Sequence, residues 1–480
     1  METRIAIGIG LVVYVVVTTL VSFFMMARVR RPTDYLVAGR GLPFWVLAGT
    51  ITGTCIGTGV IIGGSGLAYE HGWAGCAYPI GLGLGTLITG LAFAEMRRYK
   101  FMTLSEEVAC YYDGNRIVSE FSNITLFVSQ LFWLGVQIKG GAAVVGVVTG
   151  LGPTQCVVLA GIAKAVISIP GGLKAVVYTD VLQTVILFFG FGFLIHSALH
   201  ESGGLDGLRA AVPPENFSFL GTASIGGWSI ISLVLVLMLN PIADPGRRLT
   251  MYSAGTERSA RLSMVISGVV VMIFSVAIGI TGMYAFKLNP HLASRDQALP
   301  WLITDVLPPW LAAFVAVAVV SGISSAANGT AAAAGTFLVR HIYPLVTGRY
   351  PKRPVMAARW ALVFAFCFST VLALYSGNIV DFVKQFLPLT MSGLGVIILI
   401  GRFWKRATWQ GAAATLVLTP LVSLIIMRFW KSMDPILPAT VAGVVVQIAV
   451  SLLTPPKQFT FAQVAERMTM ERQAIETASH

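Results

Sequence analysis

Charge is what this chain has least of. Asp, Glu, Lys and Arg make up 11% of its 480 residues, against 56% hydrophobic residues. No region carries the mixed polar composition from which a water-soluble domain builds its surface. Cysteine is scarce as well: Cys55, Cys76, Cys110, Cys156 and Cys367 are scattered and lie mostly inside apolar segments, without metal-ligand spacing, which implies neither disulfides nor zinc. The 6 histidines are thinly spread. There is no phosphate-cradling P-loop and no nucleophile with a base partner. These absences argue against an enzyme, and no cofactor is expected.

What is present instead is a succession of apolar runs, many of 18 residues or more. Their cores lie near 5–27, 44–70, 75–96, 118–149, 154–170, 173–199, 225–247, 261–286, 309–339, 357–376, 378–401, 409–428 and 437–453. This is the signature of an all-α polytopic membrane protein with about thirteen transmembrane helices. The first run is too long for a signal-peptide core and is followed by arginines rather than a small-residue cleavage site, so it is expected to stay as a membrane helix.

A net charge of +12 would suit a nucleic-acid partner if the basic residues were gathered on one surface. They alternate instead. One set of connections carries Arg28, Arg30, Arg31 and Arg40; Arg97, Arg98, Lys100 and Arg116; Arg247, Arg248, Arg258 and Arg261; Arg340, Arg349, Lys352, Arg353 and Arg359; and Arg402, Lys405 and Arg406. The intervening set holds only Arg209, Lys287, Arg295, Arg428 and Lys431. By the positive-inside rule the amino terminus is outside and the carboxyl tail cytoplasmic, in a multi-pass protein of the plasma (inner) membrane. The basicity reports topology, not nucleic acid.

Two runs are poor helices in part. The second contains ITGTCIGTGVIIGG (Ile51–Gly64), dense in glycine and threonine, and the seventh contains NPIADPG (Asn240–Gly246), whose two prolines each remove a hydrogen-bond donor. Broken helices in corresponding positions point to an inverted-repeat transporter with its binding site at the breaks. Close packing through small residues is the other reading of the glycines. Asp180, in GGLKAVVYTDVLQ (Gly171–Gln183), is a carboxylate in a membrane helix, costing roughly 2.5–3.5 kcal/mol on insertion scales. Either it belongs to a cation or proton path, or it is hydrated at the helix mouth.

Four segments make the chain resemble the sodium:solute symporter family, which includes bacterial proline, sialic acid and galactose symporters and choline transporters. They are DYLVAGRGLPFW (Asp34–Trp45), GGSGLAYEHGWAG (Gly63–Gly75), GGLKAVVYTDVLQ, and SGISSAANGTAAAAGTFLVRHIY (Ser321–Tyr343). The resemblance implies a LeuT-type 5+5 inverted-repeat core. The corresponding division is 1–43 for the first helix and inner loop, 44–402 for the transport core, 403–453 for two peripheral helices and 454–480 for a cytoplasmic tail. It also implies a sodium site made by the carbonyls of Gly53, Ile56 and Gly322 with the Ser325 hydroxyl, and it puts Asp180 at the family's membrane acid. Relatives usually have two adjacent hydroxyl residues where this chain has Ser325 and Ala326. A one-residue slip would offer Ser324 and Ser325 instead. Asn328 stands where several relatives are acidic.

Thr54, Gly57 and Asn240 at the breaks, with Trp133, Gln137 and Lys139 on the fourth run, are the candidates for solute contact. Lys139 must snorkel or find a partner, with Asp180 or an anionic solute as candidates. Lys164 lies nearer an interface. Arg247 and Arg248 are accounted for by the positive-inside pattern. The expected function is a symporter importing a small polar organic solute with sodium by alternating access. A proton-coupled or sodium-independent carrier of the same fold, or a transporter-like sensor, remains the alternative. The chain after Leu453 is short for an appended signalling domain. Oligomeric state is not legible.

Overall fold

Apolar runs become helices because hydrocarbon offers no partner to a free backbone N–H or C=O, and a helix bonds its own. The computed structural model describes residues 1–26, 41–169, 172–349, 351–430 and 434–478. Among the described residues there is no β-strand, only an isolated bridge between Leu42 and Ala254. The Arg28–Arg40 connection, most of the Asp34–Trp45 segment, Gly171, Lys431 and His480 lie outside the described residues.

Among the described residues, ten helices are long and apolar enough to cross a bilayer, or 11 with one bent pair. The shorter Phe44–Cys55 and Pro153–Ser168 complete a set of thirteen crossing segments. They are α1 (Glu2–Met26), α2a (Phe44–Cys55) with α2b (a π-turn at Gly59–Gly64 running into Ser65–His71), α3 (Ala77–Phe93), α4 (Arg116–Thr149), α5 (Pro153–Ser168), α6 (Gly172–Ser202), α7a (Gly227–Ala243) with α7b (Pro245–Tyr252), α8 (Glu257–Leu288), α9 (Pro309–Phe337), α10 (Pro354–Leu374), α11 (Ile379–Phe403), α12 (Trp409–Phe429) and α13 (Ile436–Leu453).

Their ends follow local chemistry. The Asn115 side chain accepts from the N–H groups of Ile117 and Val118 to start α4, which stops at Gly150 in the left-handed conformation (φ 68°). Thr256 caps α8 through Ser259 N–H. Asp244 caps α7b, taking Gly246 N–H at 2.7 Å and Arg247 N–H at 3.2 Å.

Packing exposes the internal symmetry. Within the core, α2–α6 form one half and α7–α11 the other. The second helix of each half packs against its counterpart (α3 on α8), the fifth of the first half packs on the third of the second (α6 on α9), and the third of the first on the fifth of the second (α4 on α11). Such reciprocal exchange is what a two-fold axis in the membrane plane demands. The α3–α8 contact is closed by bare backbone: a Cβ on Gly83 would stand 2.6 Å from the Gly268 carbonyl oxygen, and one on Gly268 2.6 Å from that of Gly83. Outside the core, α1 lies on α9 and α6, while α12 and α13 pack on each other and on α11.

The arginine-rich connections among the described residues fall on one side of this bundle, here called the basic face. There a short helix, Leu104–Tyr111, carries Glu107, wholly buried. Glu107 pairs with Arg248 and accepts from the hydroxyls of Tyr252 and Tyr111, the last at 2.7 Å. The Arg248 guanidinium also sits 4.2 Å over the Phe93 ring. Arg248, at 0% exposure, is therefore an internal tie between α7b and the basic-face loop and not a surface charge. A tail helix, Phe461–Ala478, packs its Phe461 ring against Tyr99, Phe101 and Tyr111 on the same face.

Glu107→Ala leaves Arg248 charged and unpaired, so the purified protein is expected to lose about 3–5 kcal/mol of stability. Glu107→Ala combined with Arg248→Met should recover much of that loss. Detergent-solubilised unfolding curves check it, and equal loss in the single and double variants would show that packing, not the stranded cation, sets the cost.

Candidate functional site

The two breaks face one another across the centre of the bundle. At the first, α2a ends at Cys55, Ile56 leaves helical geometry (φ −94°, ψ 64°), and the chain restarts in α2b at Gly59. The exposed Thr58 N–H is taken by Gln137 Oε1 of α4 at 3.0 Å. At the second, α7a and α7b meet at 44°. Pro241 lies in the last turn of α7a, and Pro245 occupies the first turn of α7b, where no N–H is needed.

The first break presses against α9. A Cβ on Gly53 would lie 2.7 Å from Ser325 Oγ and 2.3 Å from Thr184 Oγ1, so only glycine fits. The Ile56 carbonyl oxygen stands 2.8 Å from the corresponding point on Gly322. Gly53, Ile56, Gly322 and Ser325 are thus brought together, although they come from opposite halves. Ala326 faces Gly57, with 2.6 Å between its Cβ and the point a Gly57 Cβ would take. Ser324 turns the other way, toward Tyr14 of α1. In this geometry Ser325 and Ala326, not Ser324, flank the break.

Behind Ser325 runs a polar seam between α6 and α9. Asp180 is 0% exposed, faces Ser325 and Asn328, and has no formed hydrogen bond on either carboxylate oxygen. Asn328 Oδ1 accepts from Ser168 Oγ at 2.6 Å. Further along, Gln183 Nε2 donates to Tyr14 Oη at 2.7 Å, beside the hydroxyls of Ser321 and Ser324. The spacing 180, 183, 184 on α6 and 321, 324, 325, 328 on α9 is one helical face each. Asp180 is accordingly an interior group, not one hydrated at a helix mouth.

Between the breaks lies a narrow cavity of ≈ 40 Å³, lined among others by Thr54, Gly57, Tyr78, Trp133, Gln137 and Arg247. Asn240 sits directly behind it, its Oδ1 accepting from Arg247 Nη1 at 2.8 Å. Asp244 pairs with the same guanidinium at 3.1 Å. Arg247 is 7% exposed. The positive-inside account of this arginine is therefore insufficient: it is folded inward, anchored on both sides of the α7 break.

Lys139 is elsewhere. It borders a larger cavity of ≈ 910 Å³ on the opposite face from the arginine-rich loops, with Asp296 and Asp381. Its ammonium donates to the Ser376 carbonyl, so the expected Asp180 partner is replaced by a backbone oxygen. Asp296 accepts from Ile379 N–H at 2.9 Å, and burial raises its carboxyl pKa against the opposing pull of Arg295 and Lys139. Lys164, expected near an interface, is buried, with no hydrogen bond to its ammonium.

Arg247, Tyr78 and Tyr14 are the cavity and seam residues that sequence reasoning missed. For Arg247 a signal existed: Asn240, Asp244 and Arg247 recur at helical spacing across the break. No comparable signal marked the tyrosines.

The model of the sodium:solute symporter family matches residues 35–418. The sodium/pantothenate symporter of Haemophilus influenzae is 22% identical over 431 residues, covering 86% of this chain and 89% of that protein. The sodium/glucose cotransporter of Vibrio parahaemolyticus is 26% identical, covering 79% and 76%. Among solved structures, a substrate-bound, outward-open sodium-coupled sialic acid symporter superposes with a TM-score of 0.79 at 16% identity, over 95% of this chain and 99% of its own. The nucleobase-cation-symport transporter Mhp1, in a closed conformation, gives 0.60 at 14%, over 91% and 99%. With its two broken helices, its reciprocal half-to-half packing and a family match along most of its length, the chain belongs to the sodium:solute symporter family and is a sodium-coupled secondary transporter.

Proposed function

We propose that sodium binds where the first break meets α9, held by the carbonyls of Gly53, Ile56 and Gly322 and the Ser325 hydroxyl, with Asp180 behind it, and that a small polar organic solute binds in the adjoining cavity. The observation that carries this reading is the convergence of Ile56 C=O, Gly53, Gly322 and Ser325 beside a buried, unbonded carboxylate. Sodium is a hard cation that takes oxygen ligands, and an unwound helix supplies carbonyls at the negative end of α2a. Asp180 supplies the charge that makes this region favourable to a cation.

Coupling then follows from shared geometry. Sodium ties α2 to α9, while the solute meets the first break at Thr54 and Gly57, α4 at Trp133 and Gln137, and α7b, whose Arg247 lines the same cavity. Each ligand favours the same arrangement of the breaks, so each raises the other's affinity by the same factor. Residues 44–402 form the transport core in this reading, with 1–43, 403–453 and 454–480 as first helix with its loop, peripheral pair and tail. The basic face is cytoplasmic, the amino terminus is outside and the protein resides in the plasma (inner) membrane. Lys139 lines the outer approach to the site.

One observation favours a second reading. Ala326 brings no hydroxyl to the break, which leaves one oxygen fewer than relatives usually provide. A proton carried by Asp180 would need no such ligand.

Reporter fusions test orientation: a reporter joined at the carboxyl terminus should be active only in the cytoplasm, and an external one overturns the assignment of faces. Trp133 provides a reporter of the site itself. Sodium, and not potassium, should change the tryptophan fluorescence of the purified protein. Ser325→Ala and Asp180→Asn should each raise the sodium midpoint about tenfold or more, the ratio set by about 1.4 kcal/mol. Ala326→Ser should lower it. A response to pH alone, lost in Asp180→Asn and indifferent to sodium and to Ser325→Ala, would replace sodium with a proton.

A further inference from the structure

Several buried donors at and behind the central cavity have no partner. Arg247 commits Nη1 to Asn240 and to Asp244, yet its Nε has no partner. Asn240, whose Oδ1 is occupied by the arginine, keeps an unpartnered Nδ2. Trp133 Nε1 and the Tyr78 hydroxyl are likewise buried without partners. These four side chains are at most 8% exposed. Indole, amide N–H₂ and guanidinium groups only donate, and a phenol donates as readily as it accepts.

The two side-chain carbonyl and carboxylate acceptors in the cavity wall, Asp244 and Gln137, each already hold a donor. Asp244 Oδ1 takes the N–H groups of Gly246 and Arg247, and its Oδ2 takes the guanidinium. Gln137 Oε1 takes Thr58 N–H. The Asp244 charge is thus matched by Arg247 and by the first turn of α7b.

We infer that the solute is a small monocarboxylate, received by Arg247 with Trp133 and Tyr78. This rests on the transporter reading above and narrows it. A carboxylate is acceptor-only and matches a surplus of donors; it also takes guanidinium N–H bonds that are charge-assisted. An amino acid would bring an ammonium, and the one carboxylate in the cavity wall, Asp244, is already paired with Arg247. Leaving a buried donor unmatched is costly, so such a site discriminates against analogues that cannot accept. The ≈ 40 Å³ of free space and the apolar Val60 and Leu82 in its wall suit a short carbon chain.

The test uses the full-length protein in proteoliposomes under an inward sodium gradient. Labelled propionate, lactate and pyruvate are compared with propionamide, lactamide, alanine and glucose, and binding of the same compounds is followed by tryptophan fluorescence. At least one carboxylate should accumulate about tenfold or more above its amide, the ratio of a single lost charge-assisted bond. Arg247→Gln should abolish that preference, and Arg247→Lys, which keeps the charge but loses the planar fork, should retain part of it. Because Arg247→Gln disturbs a buried pair, the carboxylate-against-amide comparison on the unmodified protein decides independently of folding. Sodium-driven accumulation of alanine, glucose or an amide without any carboxylate overturns the inference and leaves the transporter reading intact. Carboxylate binding by fluorescence with no sodium-driven accumulation upholds the inference and removes sodium coupling. No carboxylate signal in either assay overturns the inference.

Discussion

Everything in this molecule depends on one constraint: inside hydrocarbon, a backbone N–H or C=O without a partner costs several kcal/mol. The chain obeys it by running helix after helix and departs from it in two membrane-depth places, Ile56–Thr58 and Asp244. Each departure is repaired from elsewhere in the fold. Gln137 reaches from α4 to the Thr58 N–H, and Asp244 turns back on its own helix start. The carbonyls left at the end of α2a meet α9 instead of lipid. A structural expense and a binding surface are the same few atoms.

Buried charge is distributed by the same logic. Arg248 and Glu107 neutralise each other with two tyrosines in attendance, and Arg247 is tied to Asp244 and Asn240. These pairings tie α7b to its surroundings. Asp180 differs, being fully interior and bonded to nothing. A carboxylate kept at that cost with no resident partner is what a site visited by a cation requires.

The helices and the two breaks were legible, and Asp180 stood out, because each leaves a compositional trace: apolar length, glycine and proline at membrane depth, a lone acid in an apolar run. The 5+5 arrangement came from the resemblance and from the breaks together, since periodicity alone says nothing of which helix meets which. Arg247 was misread because adjacent arginines after an apolar run look the same whether they point to water or fold back into the bundle. Only the turn between α7a and α7b decides, and that turn depends on Asp244 capping. Of the partners open to Lys139, Asp180 is not the one the fold provides, for a sequence gives depth in the membrane without azimuth. Ser324 and Ser325 illustrate the same limit: a helical rotation of one residue sends one hydroxyl to the break and the other to α1.

That last contact makes α1 part of the electrical insulation of the transporter. Its outer surface of Val12, Val13, Val16 and Val17 meets lipid, while Tyr14, 5% exposed, covers Gln183 and the hydroxyls of Ser321 and Ser324. Those groups lie on the same seam as Asp180. Were α1 absent, the seam would border the bilayer directly, and hydrocarbon or leaking water would replace a phenol as its outer wall. The helix outside the internal repeat thus gives this buried polar seam a phenol for its outer wall.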